Sequence, residues 1–271
     1  MPRELRLWRR ADGFARELPA SVRLIAGTFT HESRHPTVVP SIRKQQMIGL
    51  QILKRQRQVA PRVVDQFRAI PVANISDCMA RMTAGGPRLR PMHASGRLAG
   101  PALTVKTRPG DNLMIHKAID MAQAGDVIVV DGGGDLTNSL IGEIMVSYAL
   151  KRGIAGFIID GAIRDLDFIQ SGTMPVYAAG VTHRGPYKDG PGEINVPIAI
   201  DGMVIHPGDL ILGDPDGFLC VPYDDVEAVL AAATAKVAAE VKTLAAIAEG
   251  RHDTSWIDAA LKRIGCEARP R

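Results

Sequence analysis

Residues 126–165 read DVIVVDGGGDLTNSLIGEIMVSYALKRGIAGFIIDGAIRD. Val127–Val130 is apolar at every position and β-branched, and Asp131 with three glycines closes it, so a buried strand is expected over 126–131. A second is expected over 154–160, turning on Asp160-Gly161, and the stretch between them predicts a helix over 139–152. Two strands apolar on both faces and joined by a helix belong to a parallel sheet covered by helices. That unit decides the class, which is α/β.

The neighbouring segments extend the pattern. Residues 111–124 predict a helix, 96–110 predict β structure broken at Gly100-Pro101, and MPVYAAG (174–180) predicts a further strand. Beyond Gly190, short apolar runs alternate with turn residues, and Asp201-Gly202 and Asp216-Gly217 sit where hairpin turns belong. Residues 223–249 are alanine-rich and predict a long C-terminal helix. Nearer the N-terminus, KQQMIGLQILKRQRQV (44–59) has an amphipathic helical pattern and Pro61 opens a short helix. ISDCMARM (75–82) continues helically, with Ser76 and Asp77 as caps.

Charge divides the chain. Residues 1–58 hold 12 Lys/Arg against 4 Asp/Glu, whereas the remaining 213 residues hold 21 against 25. The expected organisation is a basic arm (1–58), a main domain ending in the long helix (59–250) and a charged tail (251–271), with Met47 as an alternative start. Aromatics make up only 4% and do not interleave with the basic residues, which argues against nucleic acid as a partner. No apolar run approaches the ~20 residues of a membrane span, and no signal peptide opens the chain. Cys78, Cys220 and Cys266 lack any paired spacing and read as reduced thiols, so a cytoplasmic protein is expected.

In the arm, His31, Glu32 and His35 match the H-E-x-x-H pattern of zinc proteases. That chemistry requires a helix, and Gly27, Thr28, Thr30 and Pro36 oppose one, so no zinc site is expected.

Ligands of open α/β sheets gather at the carboxyl ends of strands, and two such ends carry chemistry here. The first passes through Gly132, Gly133 and Gly134 into a helix expected to open near Asn138 or Ser139, whose free N–H groups would favour an anion. Gly142 falls inside this helical pattern at a cost of about 1 kcal/mol relative to alanine, which points to a break or to a ligand lying against the backbone. The second end places Arg164 beside Asp165, one fixed positive charge next to one hard oxygen ligand suited to Mg²⁺ or Mn²⁺. His116 is read as a helix residue, and His183 precedes a loop, HRGPYKDGPGEIN, expected to shape the specificity side of the cleft. His206, Asp214 and Asp216 are read as turn residues.

Four stretches, GDNLMIHKAIDMAQAGDVIVVDGGG, GEIMVSYALKRGIAGFIIDGAIRD, MPVYAAG and PGDLILGDPDGFLCVP, resemble in order and spacing the RraA-like family. That family includes divalent-metal 4-hydroxy-4-methyl-2-oxoglutarate/4-carboxy-4-hydroxy-2-oxoadipate aldolases and the regulator of ribonuclease E activity. The resemblance covers roughly 62–250 and leaves out the arm. It implies a swivelling β/β/α-type domain with a long C-terminal helix, assembled as a homotrimer or hexamer.

It also implies roles. Asp165 would be the direct ligand of Mg²⁺ or Mn²⁺. Arg164 would contact the 2-oxo oxygen of a small 2-oxo acid substrate and stabilise the pyruvate enolate. Glu143 would hold metal-bound water, and the amides of Ile144 and Met145, next to Gly142, would bind the pyruvyl carboxylate. Glu240, lent by a neighbouring subunit, would also hold metal-bound water. The position of Ser139 is commonly alanine in the family. The implied activity is class II retro-aldol cleavage of a 4-hydroxy-2-oxo acid releasing pyruvate, with oxaloacetate decarboxylation as a side reaction and metal-linked water as base. The alternative is a non-catalytic, protein-binding regulator of ribonuclease E; no S-adenosylmethionine loop supports a methyltransferase.

Overall fold

The computed structural model describes residues 48–83 and 85–266. Residues 1–47, with His31, Glu32, His35 and the Met47 start, lie outside the described residues, as do the last five of the expected tail. The chain forms β1 (Leu50–Ile52), α1 (Pro61–Phe67), α2 (Val72–Cys78), β2 (Arg90–Pro91), β3 (Leu98–Thr107), α3 (Leu113–Met121), β4 (Val127–Ile141), α4 (Glu143–Lys151), β5 (Gly156–Ile163) and α5 (Leu166–Ser171). Then follow β6 (Val176–Val181), β7 (Gly192–Ile194), β8 (Ile198–Ile200), β9 (Met203–Ile205), β10 (Leu210–Asp214), β11 (Gly217–Val221), α6 (Val226–Ala248) and α7 (Ser255–Arg263).

The centre of the sheet is the parallel set β3-β4-β5-β6, extended by β2 at one edge and by β7 and β1 at the other. Side chains alternate across it. On one face Ile128, Val130, Phe157 and Ile159 pack against Ile115 and Ile119 of α3, Val146 of α4 and Ile169 of α5. On the other, Val127, Val129 and Ile158 join Ile198, Ile200, Met203 and Ile205 of the β8–β9 hairpin. A third cluster seats α1, α2 and α6 on Leu210, Leu212, Leu219 and Val221 of β10 and β11. The mixed α/β class and the long C-terminal helix agree with the sequence reading.

Several local expectations are corrected. Residues 50–52 form no helix: they pair in parallel with Gly192–Ile194, about 140 residues away, after a turn in which Gly49 has φ 84°. Ser76 and Asp77 cap nothing. They lie inside α2, which ends at Cys78 because Ala80 and Arg81 turn left-handed. Strand β3 is not broken at Gly100-Pro101. Its first half pairs with β10 up to Pro101↔Leu210, and the ladder to β4 begins only at Ala102↔Val127, so proline's missing donor interrupts no β3–β4 bond. Gly100 also lies so close to Gly125 that a Cβ would meet the Gly125 carbonyl oxygen at 2.1 Å.

β5 does not turn on Asp160-Gly161 but runs to Ile163, and β4 does not end at Asp131. It bulges through Gly133 and Gly134 (φ 69° and 70°), with register shifts against β5, and returns to the core at Leu140 and Ile141. The expected tail contains α7, whose Trp256, Ile257 and Leu261 form an exposed apolar side. Asp201-Gly202 and Asp216-Gly217 do turn hairpins. Cys78, Cys220 and Cys266 are free thiols. No helix among the described residues is long and apolar enough to cross a membrane.

Candidate active site

The long β4 sets the site. Because the strand runs to Ile141, the following helix starts at Glu143 with Gly142 as its N-cap, not near Asn138 or Ser139. The N-cap glycine has no side chain to cap α4, and the first-turn N–H groups of Ile144 and Met145 have no intrahelical acceptor. An open helix N-terminus of the kind expected from the sequence is present, one turn later in the chain. Parallel to it, β5 ends at Ile163, and the Arg164 N–H donates to the Ile141 carbonyl at 3.0 Å, holding the two strand ends together.

Asp165 then adopts the left-handed conformation (φ 56°, ψ 46°), which is uncommon for a residue with a side chain. Its Oδ2 accepts from the Glu143 N–H at 2.9 Å and lies 3.7 Å from Arg164 Nε. Gly142 makes this approach possible. A Cβ there would lie 2.4 Å from Asp165 Oδ2 and 2.9 Å from Arg164 Cγ. Its own φ of −159° is open to any residue, so proximity and not backbone freedom requires the glycine. Gly142, Glu143, Ile144, Met145, Arg164 and Asp165 are thus brought to one place. Glu143, Ile144 and Asp165 are exposed, while Met145 is buried.

Beside Arg164 opens a cavity of about 100 Å³ lined by Asn112, His116, Gly142, Met145, Arg164 and Lys188, among others. The 182–190 loop forms one wall and is tied down along its length. Ser139 donates from N and Oγ to the Arg184 carbonyl, both at 2.8 Å, and Asn138 Nδ2 donates to the Gly185 carbonyl. Asp111, fully buried, accepts from the Leu113, Asp189 and Gly190 N–H groups at 2.7–2.9 Å and from Arg108 Nη2 at 3.1 Å. Asp111→Ala is expected to destabilise the fold by about 2 kcal/mol, since it removes a buried carboxylate that holds three backbone N–H groups, of which that of Gly190 is buried and would be left without an acceptor. Urea denaturation checks this: a change under 1 kcal/mol would mean that water replaces the carboxylate.

His116, read from sequence as an ordinary helix residue, lines this cavity. Partial burial, then the charge of Lys188, lowers its pKa below the usual imidazole value. Asn112, Pro186 and Lys188 were not singled out in the sequence; Pro186 and Lys188 lie in the loop expected to shape specificity. A larger cavity, about 620 Å³, lies among residues 54–58, Asp126 and Tyr223, and none of the predicted site residues lines it. Glu240 lies on α6, where it accepts from Asn74 Nδ2 at 2.6 Å and faces Lys236 Nζ at 3.5 Å; within one chain its polar partners are these and not the α4–β5 site. His206 and Asp214 serve turns: the His206 N–H donates to Asp209, and Asp214 accepts from the Asp216 and Val72 N–H groups.

The arrangement joins unpaired helix N–H groups, a guanidinium and a carboxylate around one glycine, which suits a small carboxylate-bearing ligand with a second oxygen next to it. The sequence model of RraA-like proteins, described as Aldolase/RraA, matches residues 72–220, more than half of the chain. The chain belongs to the RraA-like family. A relative in Halalkalibacterium halodurans, provisionally named a 4-hydroxy-4-methyl-2-oxoglutarate aldolase, is 42% identical over 175 residues, 65% of this chain and 83% of that protein. Among solved structures, an uncharacterised Pseudomonas syringae protein superposes with a TM-score of 0.65 at 30% identity, covering 71% of this chain and 95% of that one. The RNA-processing inhibitor RraA of Thermus thermophilus superposes with a TM-score of 0.53 at 30% identity, covering 56% and 92%. The RraA-like match includes β4, α4, β5 and α5, so the candidate site lies within the shared part of the chain.

Proposed function

We propose that this RraA-like protein is a class II pyruvate aldolase, a carbon–carbon lyase that cleaves a 4-hydroxy-2-oxo acid and releases pyruvate. Oxaloacetate decarboxylation is its side reaction. The observation that carries this reading is the Gly142 junction, where Arg164, Asp165 and the open end of α4 meet. The relative's name, 4-hydroxy-4-methyl-2-oxoglutarate aldolase, supplies the substrate to try first.

A hard divalent cation, Mg²⁺ or Mn²⁺, fits the donor set. Asp165 is exposed, and its Oδ1 makes no hydrogen bond among the described residues. No three His, Cys, Asp or Glu side chains converge among those residues, so the proposed ion would take one or two carboxylates and keep several waters. Asp165 would hold it directly, and Glu143, with Glu240 of a neighbouring copy, through water. When bound, the ion supplies Lewis-acid polarisation of the substrate's oxygens.

The chain's own residues do the rest. The Ile144 and Met145 N–H groups receive the substrate's C1 carboxylate at the positive end of α4. Arg164 donates to the 2-oxo oxygen, which gains negative charge as the C3–C4 bond breaks and an enolate forms. The side chain passes against Gly142 and close to Gly185, where a larger residue would crowd it. The proposed assembly is a homotrimer or hexamer in which α6 lends Glu240 to the next site. Val241, Leu244 and Ile247 on the same helix are exposed and offer apolar area for that contact.

Pyruvate release from 4-hydroxy-4-methyl-2-oxoglutarate, coupled to lactate dehydrogenase, tests the reading. Activity is expected to fall at least about 100-fold in EDTA and to return with Mg²⁺ or Mn²⁺. Undiminished cleavage by metal-stripped protein would remove Asp165 from the role given to it.

A further inference from the structure

The cavity beside Arg164 contains polar groups that enolate stabilisation leaves without a task. Asn112 is 3% exposed; its Nδ2 donates to the Leu140 carbonyl and to Met145 Sδ, while its Oδ1 has no partner among the described residues. His116 lies one turn further along α3 and lines the same cavity, as does Lys188. A wall with an unmet acceptor next to an imidazole suits an occupant that brings a hydroxyl group.

Retro-aldol cleavage must remove the proton of the C4 hydroxyl. Of the side chains lining this cavity, Arg164 and Lys188 are cations without a lone pair to offer, and the amide of Asn112 and the hydroxyl of Ser139 are too weakly basic. His116 is the remaining acceptor. Its lowered pKa keeps the imidazole neutral and able to take a proton.

We propose that His116 is a catalytic residue, the base that takes the C4 hydroxyl proton in place of a metal-linked water. This rests on the retro-aldol reading. The O–H electrons form the C4 carbonyl, and the C3–C4 bond pair passes into the C2–C3 enolate with its charge on the oxygen beside Arg164. The imidazolium then protonates C3, which gives pyruvate and resets His116.

Oxaloacetate separates this role from enolate stabilisation, because its decarboxylation forms the same enolate with no hydroxyl proton to remove. His116 lies on the exposed side of α3, so His116→Gln and His116→Ala are both expected to fold. In each, kcat for cleavage of 4-hydroxy-4-methyl-2-oxoglutarate is expected to fall about 10²–10⁴-fold, and at least tenfold more than kcat for decarboxylation. Added imidazole is expected to restore part of the cleavage in His116→Ala. Equal losses in both reactions without imidazole rescue, or no loss in either, would overturn the assignment. A wild-type protein that decarboxylates oxaloacetate but cleaves no 4-hydroxy-2-oxo acid would overturn the aldolase reading, and His116's role with it.

Discussion

Arg164→Ala is expected to lower kcat for pyruvate release by about 10²–10³-fold, equivalent to about 2.7–4 kcal/mol of lost transition-state stabilisation. The side chain is 42% exposed, and among the described residues its one ion pair is the 3.7 Å approach to Asp165, so the fold has little to lose. The unfolding midpoint in urea is expected to stay within error of the wild type. Arg164→Lys is expected to recover only part of the rate, because an ammonium keeps the charge but not the planar fork of donors. A loss confined to KM would mean that Arg164 binds substrate and transition state alike, which would remove it from enolate stabilisation.

Gly142→Ala is the second large effect. The added methyl would lie 2.4 Å from Asp165 Oδ2 and 2.9 Å from Arg164 Cγ, closer than atoms pack, so both side chains must move. Displacing a catalytic group by about 1 Å costs on the order of 100-fold in rate, and here two groups move together. Backbone strain adds nothing at φ −159°, and the displaced atoms belong to partly exposed side chains, so the stability cost is expected to be only about 1 kcal/mol. Steady-state kinetics beside a thermal melt distinguishes the outcomes. A variant with wild-type kcat would show that the α4–β5 junction is not where the chemistry occurs.

These two residues also mark what was legible in the sequence. The apolar strand runs and the Arg164-Asp165 pair could be read directly, because strand ends in a parallel sheet concentrate ligand chemistry. The position of Gly142 could not. It falls inside a helical pattern, and only the extension of β4 through a glycine bulge makes it the N-cap. Glycine runs favour loops locally, but pairing with β5 pulls this one into the sheet. Leu50–Ile52 misled for a similar reason: its amphipathic pattern has no local competitor, and its strand partner is β7, far along the chain. Asn112, His116 and Lys188 come from a helix and a loop some 70 residues apart, and Asp111 and Ser139 help to hold that loop in place. No local spacing announces such a wall. Glu240 was picked out by resemblance alone, and within one chain it bonds to Asn74.

The central claim is carbon–carbon bond cleavage at the Arg164–Asp165 junction, and direct proton NMR of 4-hydroxy-4-methyl-2-oxoglutarate incubated with the protein and Mg²⁺ tests it most simply. Breaking the C3–C4 bond leaves one pyruvate from carbons 1–3 and a second from C4 with its methyl and carboxylate. The prediction is two pyruvates formed for each substrate consumed, with the rate lost in Arg164→Ala. Unchanged substrate, in the presence of folded protein and saturating metal, would contradict the claim.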